Sequence, residues 1–314
     1  MILHIARRLM LFVPAWLIMG IIAFTLIRLI PGDPAAILLG PDASPDAVAR
    51  LREQLGLNNS LITQFVIWVG QVAHGEFGRS FFLGQPVLNA VLERLPVTVS
   101  LAGFALACAV LLGVPAGVRA ATRANSSTDV GVMAASVIGM SIPDFAMGLV
   151  LIYLFGVALR WFPISEYVPL SRSLGGWALH LFMPALSLGM VQAALIARIT
   201  RSSMLEVLGM DYVRTARAKG LAESRVIHLH AFRNALIQVL TVVGNAAVIL
   251  LGGAFVIETV FNLPGVGNLV VMAVRRRDYP LVQGCIVLIS TVVIVVNLIV
   301  DVLYAYIDPQ IRYG

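Results

Sequence analysis

Charge is scarce in this chain: 12% of its 314 residues are Asp, Glu, Lys or Arg, against about a quarter in soluble domains. Cysteine is rarer still. Cys108 and Cys285 both sit inside apolar stretches, which excludes a disulfide framework and a thiolate metal site and leaves two small core residues. Lysine occurs once, as Lys219 between Ala218 and Gly220, so the Gly-Lys-Ser/Thr run that cradles nucleotide phosphates is missing. Gly-x-Ser-x-Gly, His-Glu-x-x-His and paired carboxylates are missing too, and with them the common hydrolase constellations. His228 and His230 stand two apart, a spacing that points side chains on a helix away from each other, so they read as surface histidines and no metal site is expected.

What is abundant is apolar surface. Hydrophobic residues make up 59% of the chain and the mean hydropathy is +0.93. A soluble chain of this size cannot hide so much, so the class is membrane protein. The net charge of +6 does not point to nucleic acid, because the basic residues flank apolar runs, where they set orientation. Stretches long enough for helical spans cover residues 9–30, 97–118, 130–159, 177–199, 235–257 and 281–303. The first follows His4, Arg7 and Arg8, is too long for a signal-peptide core and lacks a cleavage site, and reads as a retained span. The third is broken by Pro143–Asp144 and is expected to kink. The fourth is the weakest, since it holds His180, Pro184 and Gln192. The expected fold is an all-α polytopic membrane protein of six transmembrane helices.

Arginine placement orients the spans. Arg7, Arg8, Arg119, Arg123, the cluster from Arg201 to Arg233, and Arg312 share one side if there are six. That side is expected to be cytoplasmic, with both termini on it, against the opposing cluster Arg275–Arg277. The chain then divides into a cytoplasmic N-terminus and first span (1–30), a periplasmic helical segment (31–96) and a five-helix core (97–314) with a cytoplasmic loop at about 200–234. In the periplasmic segment, Ser44, Pro45 and Asp46 read as a helix start followed by the stripe Val48, Leu51 and Leu55, ending at Gly56. A second short helix is expected over 61–72. Together they form a small helical cap.

The loop at 211–220 carries the most local information. Asp211 suits a helix N-cap, Arg217 and Lys219 suit its C-terminus, and Gly220 suits the left-handed position just beyond. A second helix is expected over 226–236, leading into the fifth span. These residues describe a rigid helix–turn–helix without saying what docks there, and a solvated basic loop that only enforces topology fits them as well. Polar residues inside spans are candidates for a translocation pathway. Asp144, Asn245, Asn297 and Asp301 qualify, with Gln192 and Glu258 nearer span ends. Helix–helix hydrogen bonding is the competing role for each.

Beyond these local signals, the sequence resembles the permeases of binding-protein-dependent ABC importers, in their peptide/nickel branch. The resemblance rests on Pro-Gly-Asp-Pro-Ala at 31–35, Gln-Leu-Gly-Leu at 54–57, Gly78 with Ser80, Arg-Leu-Pro at 94–96, and the loop 211–220. It continues through Arg-Asn-Ala-Leu at 233–236, Pro-Gly-Val-Gly at 264–267, Arg-Asp-Tyr-Pro at 277–280, Asn297 to Asp301, and Asp308–Pro309. In that family the cytoplasmic helix–turn–helix couples the permease to its ATPase. The resemblance places the coupling role on Asp211, Tyr212, Arg214, Thr215, Ala216, Arg217, Ala218, Lys219, Gly220 and Leu221, with Gly220 as the motif glycine. Ala222 and Gln238 stand where relatives often have Ser and Pro.

The resemblance further implies an inner-membrane importer subunit that is not itself an enzyme and holds no cofactor, ATP and Mg being bound by partner subunits. Its partners are a homologous second permease, two ABC ATPases, a periplasmic solute-binding protein and membrane lipid, with no nucleic acid. The expected pathway residues are Asp144, Asn245 and Glu258. The expected cargo is a small peptide, glutathione included; a nickel complex is the alternative within the family and an ion-coupled secondary transporter the alternative outside it. The second alternative calls for paired broken spans, and only the third span carries a break.

Overall fold

A computed structural model gives the structure, which describes residues 2–28, 33–40, 43–54 and 56–307. Leu55, Pro31–Gly32, and Asp308–Pro309 with Arg312 lie outside the described residues. Every named element among the described residues is helical. Among the described residues, four helices are long and apolar enough to cross a membrane: α5 (Val87–Thr122), α8 (Leu174–Leu208), the run Glu223–Val260, and Tyr279–Val302 of α13. The pair α6 (Ser127–Ser141) and α7 (Asp144–Leu151, extended by π turns over Ile152–Ala158) makes a fifth when counted as one span. It is bent by 101°. The break falls at Ile142–Pro143, where sequence places it, because the ring of Pro143 has no N–H to give and disfavours helix in the residue before it. The first helix, α1 (Ile2–Arg28), contributes the shorter apolar stretch Phe12–Thr25.

The chain divides into two compact units. One comprises residues 1–96 and 265–295. Here α2 (Pro34–Leu39) starts at Asp33, whose Oδ1 accepts the Ala35 amide at 3.1 Å, and Arg52 of α3 (Pro45–Gln54) reaches Asp33 Oδ2 at 3.3 Å. As expected, α3 begins at Pro45 with Ser44 Oγ accepting the Ala47 amide, and Gly56 takes the positive φ of 67°. The other anchor is Asp278, ahead of α13 (Tyr279–Ile307) and fully buried. Its Oδ1 accepts the Leu281 amide at 3.2 Å, while Oδ2 accepts Ser80 Oγ at 2.5 Å and the Phe82 amide at 3.0 Å. One carboxylate thus caps a long helix and fixes the turn at 78–86, leaving neither oxygen unpaired.

The other unit comprises residues 97–264 and 296–314. Its centre is α8, the most enclosed of the four long helices. As its polar residues lead one to expect, α8 is also the least hydropathic of the four. Hydropathy measures suitability for lipid, and a helix surrounded by protein does not need it. Two of its polar groups bond within the helix, the His180 ring to the Gly176 carbonyl at 2.8 Å and Ser187 Oγ to that of Pro184 at 2.9 Å, while Gln192 Oε1 and Thr200 Oγ1 are buried without a partner among the described residues. Against α8 pack Gly113 and Gly117 of α5. A Cβ at Gly117 would lie 2.5 Å from the Ala197 carbonyl oxygen, and one at Gly113 2.6 Å from that of Ala193. Gly189 of α8 meets the Ala105 carbonyl in the same way, at 2.6 Å. This is small-residue packing of the kind membrane helices use, since lipid supplies no hydrophobic drive between them. Where α6 begins, Asp129 takes a two-pronged ion pair from Arg201, with Arg201 Nη2 2.7 Å from Asp129 Oδ2 and Nε bonded to Oδ1.

Candidate functional site

The residues singled out at 211–220 form α9 (Asp211–Ala218), a two-turn helix entered by a tight turn at the end of α8, where the Gly209 amide bonds Glu206 and the Met210 amide bonds Val207. Asp211 is not its N-cap, as expected from sequence. Met210 holds the cap position in an extended conformation without a side-chain bond, and Asp211 is the first helical residue, its carboxylate 3.6 Å from Arg214. The shift of one residue leaves the acid in the first turn, where the helix dipole still favours it.

One face of α9 is fixed. Val213 and Ala216, three apart and so stacked on one side, are buried against Val226, with Val207, Leu208 and Leu221 around them. The end of the helix is fixed as well. Gly220 takes a φ of 75° and donates to the Arg217 carbonyl at 2.9 Å, while the Leu221 amide donates to that of Ala216 at 3.4 Å. These are the two bonds of a Schellman ending, and Leu221 supplies its apolar contact. Arg217 closes the turn from outside, with Nε 3.2 Å and Nη2 2.7 Å from the two oxygens of Glu223. That carboxylate raises the guanidinium's pKa.

Beyond the turn, the helix expected over 226–236 is present and leads into the next long helix. The chain re-enters helix at α10 (Glu223–Arg225), widens into π turns over Val226–Phe232 and continues without interruption as α11 (Arg233–Val260). Nothing in the segment stops a helix, as it holds neither Gly nor Pro. Ala222, where a Ser would cap, makes no side-chain bond. Asn234 ties the arms together, its Nδ2 donating to Tyr212 Oη at 2.8 Å and to the His230 carbonyl at 2.9 Å. Ser203 of α8 donates to Gln238 of α11 at 2.5 Å, so the position where relatives often carry Pro makes an interhelical bond.

The opposite face of α9 is bare: Asp211, Tyr212, Arg214, Thr215, Arg217, Ala218, Lys219 and Gly220 are exposed. The result is a short helix packed on the end of α8 and the start of the run Glu223–Val260, with Arg214, Arg217 and Lys219 on its exposed side.

The pathway candidates lie on two elements, Asp144 on α7 and both Asn245 and Glu258 on α11. Asp144 opens α7 half-buried, and a Cβ at Gly253 of α11 would lie 3.8 Å from its Oδ2 and 3.0 Å from Leu188 of α8. Glu258 is fully buried, with Thr98 Oγ1 donating to Oε1 at 2.5 Å. Asn245, Asn297 and the surface of α11 and α13 around them are exposed in the isolated chain. Gln192 is buried on α8 with Oε1 unpaired. Sequence reading missed the carboxylates that lock the structure, Asp129 and Asp278; the only signal for the second was its place in the Arg-Asp-Tyr-Pro motif.

A model of the N-terminal part of binding-protein-dependent transport system membrane components matches residues 1–102, and one of the inner membrane component itself matches 113–313. The chain belongs to this family. Its relatives run end to end with it. The probable peptide ABC transporter permease protein y4tP of Sinorhizobium fredii is 45% identical over 310 residues, 99% of each chain. The di/tripeptide transport system permease protein DppB of Pseudomonas aeruginosa is 43% identical over 334 positions, covering 100% of this chain and 99% of its own. The glutathione transport system permease protein GsiC of Salmonella choleraesuis is 41% identical over 313, covering 100% of both. The permease is therefore a multi-pass inner-membrane protein, and α9 with its Gly220 turn lies within the second family match.

Proposed function

We propose that this permease is one of two homologous membrane subunits of an importer for small peptides, di- and tripeptides or glutathione, and that α9 is its coupling helix. The observation that carries the proposal is the asymmetry of α9. One face is packed on the end of α8 and on Val226 of the π turns, and the other is exposed to a partner and carries Arg214, Arg217 and Lys219. A helix that only enforced topology needs neither the two-bond ending nor the Asn234–Tyr212 tie. The peptide substrate is supported by the names of the full-length relatives.

In this reading α1 is the first of six spans, both termini and α9 face the cytoplasm, and the solute-binding protein docks on the opposite face. Two ATPase subunits hold ATP and Mg. Their closure pushes α9, α8 and α11 carry the displacement into the membrane, and the paired permeases open toward the binding protein; hydrolysis resets them inward. Uptake of labelled dipeptide into proteoliposomes holding the full assembly tests this reading. Unlabelled tripeptide or glutathione should compete, binding protein should act from one face only and ATP from the other. Uptake of a nickel complex that no peptide competes with would replace the substrate class.

Asp144 is the pathway group we favour among Asp144, Asn245 and Glu258, since an ionisable side chain beside a broken mid-membrane helix is costly unless it faces a cavity or a partner. Asp144→Asn is expected to change uptake per assembled complex several-fold with assembly unaltered. Loss of assembly with uptake per complex unchanged would make it a packing residue instead.

A further inference from the structure

The helix α4 (Leu61–Ala73) is built the wrong way round for a soluble cap. Its inward face is normal: Phe65 and Trp68 pack on Phe24 of α1 with ring centroids 5.2 and 5.8 Å away, a Cβ at Gly20 would lie 3.5 Å from Trp68, and Val72 is buried with Ala23 and Val287. The outward face is apolar as well. Ile62 is 78% exposed, Val66 62% and Ile67 49%. On a helical wheel Ile62, Val66 and Ile67 lie on the side away from Phe65, Trp68 and Val72, with Thr63, Gly70 and Ala73 among them. No residue of α4 is charged. A helix facing water would carry its polar residues there.

We infer that α4 is a membrane-embedded helix that does not span, and that its Ile62–Val66–Ile67 face contacts lipid acyl chains. Three observations select lipid as the occupant. At 13 residues the helix is about 20 Å long, too short to cross a hydrocarbon core of about 30 Å. It runs beside α1 at Gly20 and Phe24, inside the apolar stretch Phe12–Thr25, whose own outward side chains Leu17, Ile18, Ile21 and Ile22 are exposed and continue the apolar surface. The polar groups cluster at its two ends. Ser60 Oγ caps the Thr63 amide and bonds its hydroxyl, Gln64 bonds the carbonyls of Leu57 and Asn59, and His74 and Glu76 follow the last turn. A helix apolar on both faces is one buried in protein or in lipid, and its polar ends suit the depth at which it meets water. This revises the reading of residues 31–96 as wholly a water-facing cap. It rests on membership of a membrane-protein family and is independent of the coupling and substrate proposals.

The test is nitroxide accessibility in the assembled importer in anionic lipid nanodiscs. Labels go at Ile62→Cys and Val66→Cys in a Cys108→Ala background, Cys285 being fully buried. Ile18→Cys on α1 and Glu76→Cys serve as lipid and water references. Labels at 62 and 66 should be relaxed by oxygen several-fold more than by a water-soluble nickel chelate, as at 18 and the reverse of 76. Nickel accessibility equal to that at 76 would restore the water-facing cap. Shielding from both relaxants would mean that protein covers the face. Either result overturns the inference.

Discussion

Gly220→Val is expected to insert, pair with the second permease and still receive binding protein, yet to lose ATP-coupled uptake. Space is not the reason, because a Cβ at Gly220 meets nothing within 4 Å. The reason is the backbone: the φ of 75° lies where a β-branched residue is strained by about 1–3 kcal/mol. The chain relieves that strain by giving up the bonds from Gly220 to Arg217 and from Leu221 to Ala216, which fix the angle at which α9 leaves its turn. If relief means reorienting α9, the docking-competent population falls about 5- to 150-fold. The rest of the protein, held by lipid and interhelical packing, is indifferent to a turn outside the membrane. Gly220→Asn should stay near wild type, since asparagine tolerates left-handed backbone, and Gly220→Ala should fall between. Uptake and ATP hydrolysis measured together in proteoliposomes distinguish weaker docking, where both fall, from slippage, where hydrolysis persists without uptake.

Gly117→Leu acts on the opposite property, expected to abolish assembly and with it all uptake. The atoms a side chain would meet at 117 are the Ala197 carbonyl oxygen and Thr200 Cβ, at 2.5 and 2.6 Å. A helix carbonyl cannot swing aside as a flexible side chain can, so α5 must separate from α8 along its length. Overpacking costs about 1–3 kcal/mol and occasionally more in soluble cores; in lipid no hydrophobic gain offsets the separation. The yield of intact complex on size-exclusion chromatography should fall to a small fraction of wild type. Gly103→Ala, also on α5 but with nothing within 4 Å of its Cβ, should leave it unchanged. Normal assembly of the leucine variant would show that the α5–α8 contact does not hold the permease together.

What sequence alone made legible was local chemistry. The Gly220 turn, the Pro143 break and the starts of α3 and α4 each depend on residues within four positions of one another, and each lies where the pattern places it. Asp211 was misplaced by one residue because acids favour both the cap and the first turn. The widening into π turns over Val226–Phe232 was illegible because a π segment has no composition of its own. The enclosure of α8 was hidden for a different reason: hydropathy does not distinguish a lipid neighbour from a protein one. The ion pair of Asp129 with Arg201, 72 positions apart, and the bond of Ser80 to Asp278, 198 apart, are products of the tertiary fold. No single sequence pairs such residues. The coupling role proposed for α9 comes from family resemblance; the geometry that supports the proposal is a packed face, a fixed end and an exposed side that carries Arg214, Arg217 and Lys219.

The energy source is the most direct test of the account. Peptide uptake should be measured in proteoliposomes holding this permease, its partner, both ATPases and binding protein. The account predicts uptake that requires hydrolysable ATP on the α9 side, stops when the ATPases are omitted and is unaffected by a proton ionophore. Uptake that continues without the ATPases and collapses with the ionophore would contradict it and make the chain an ion-coupled carrier.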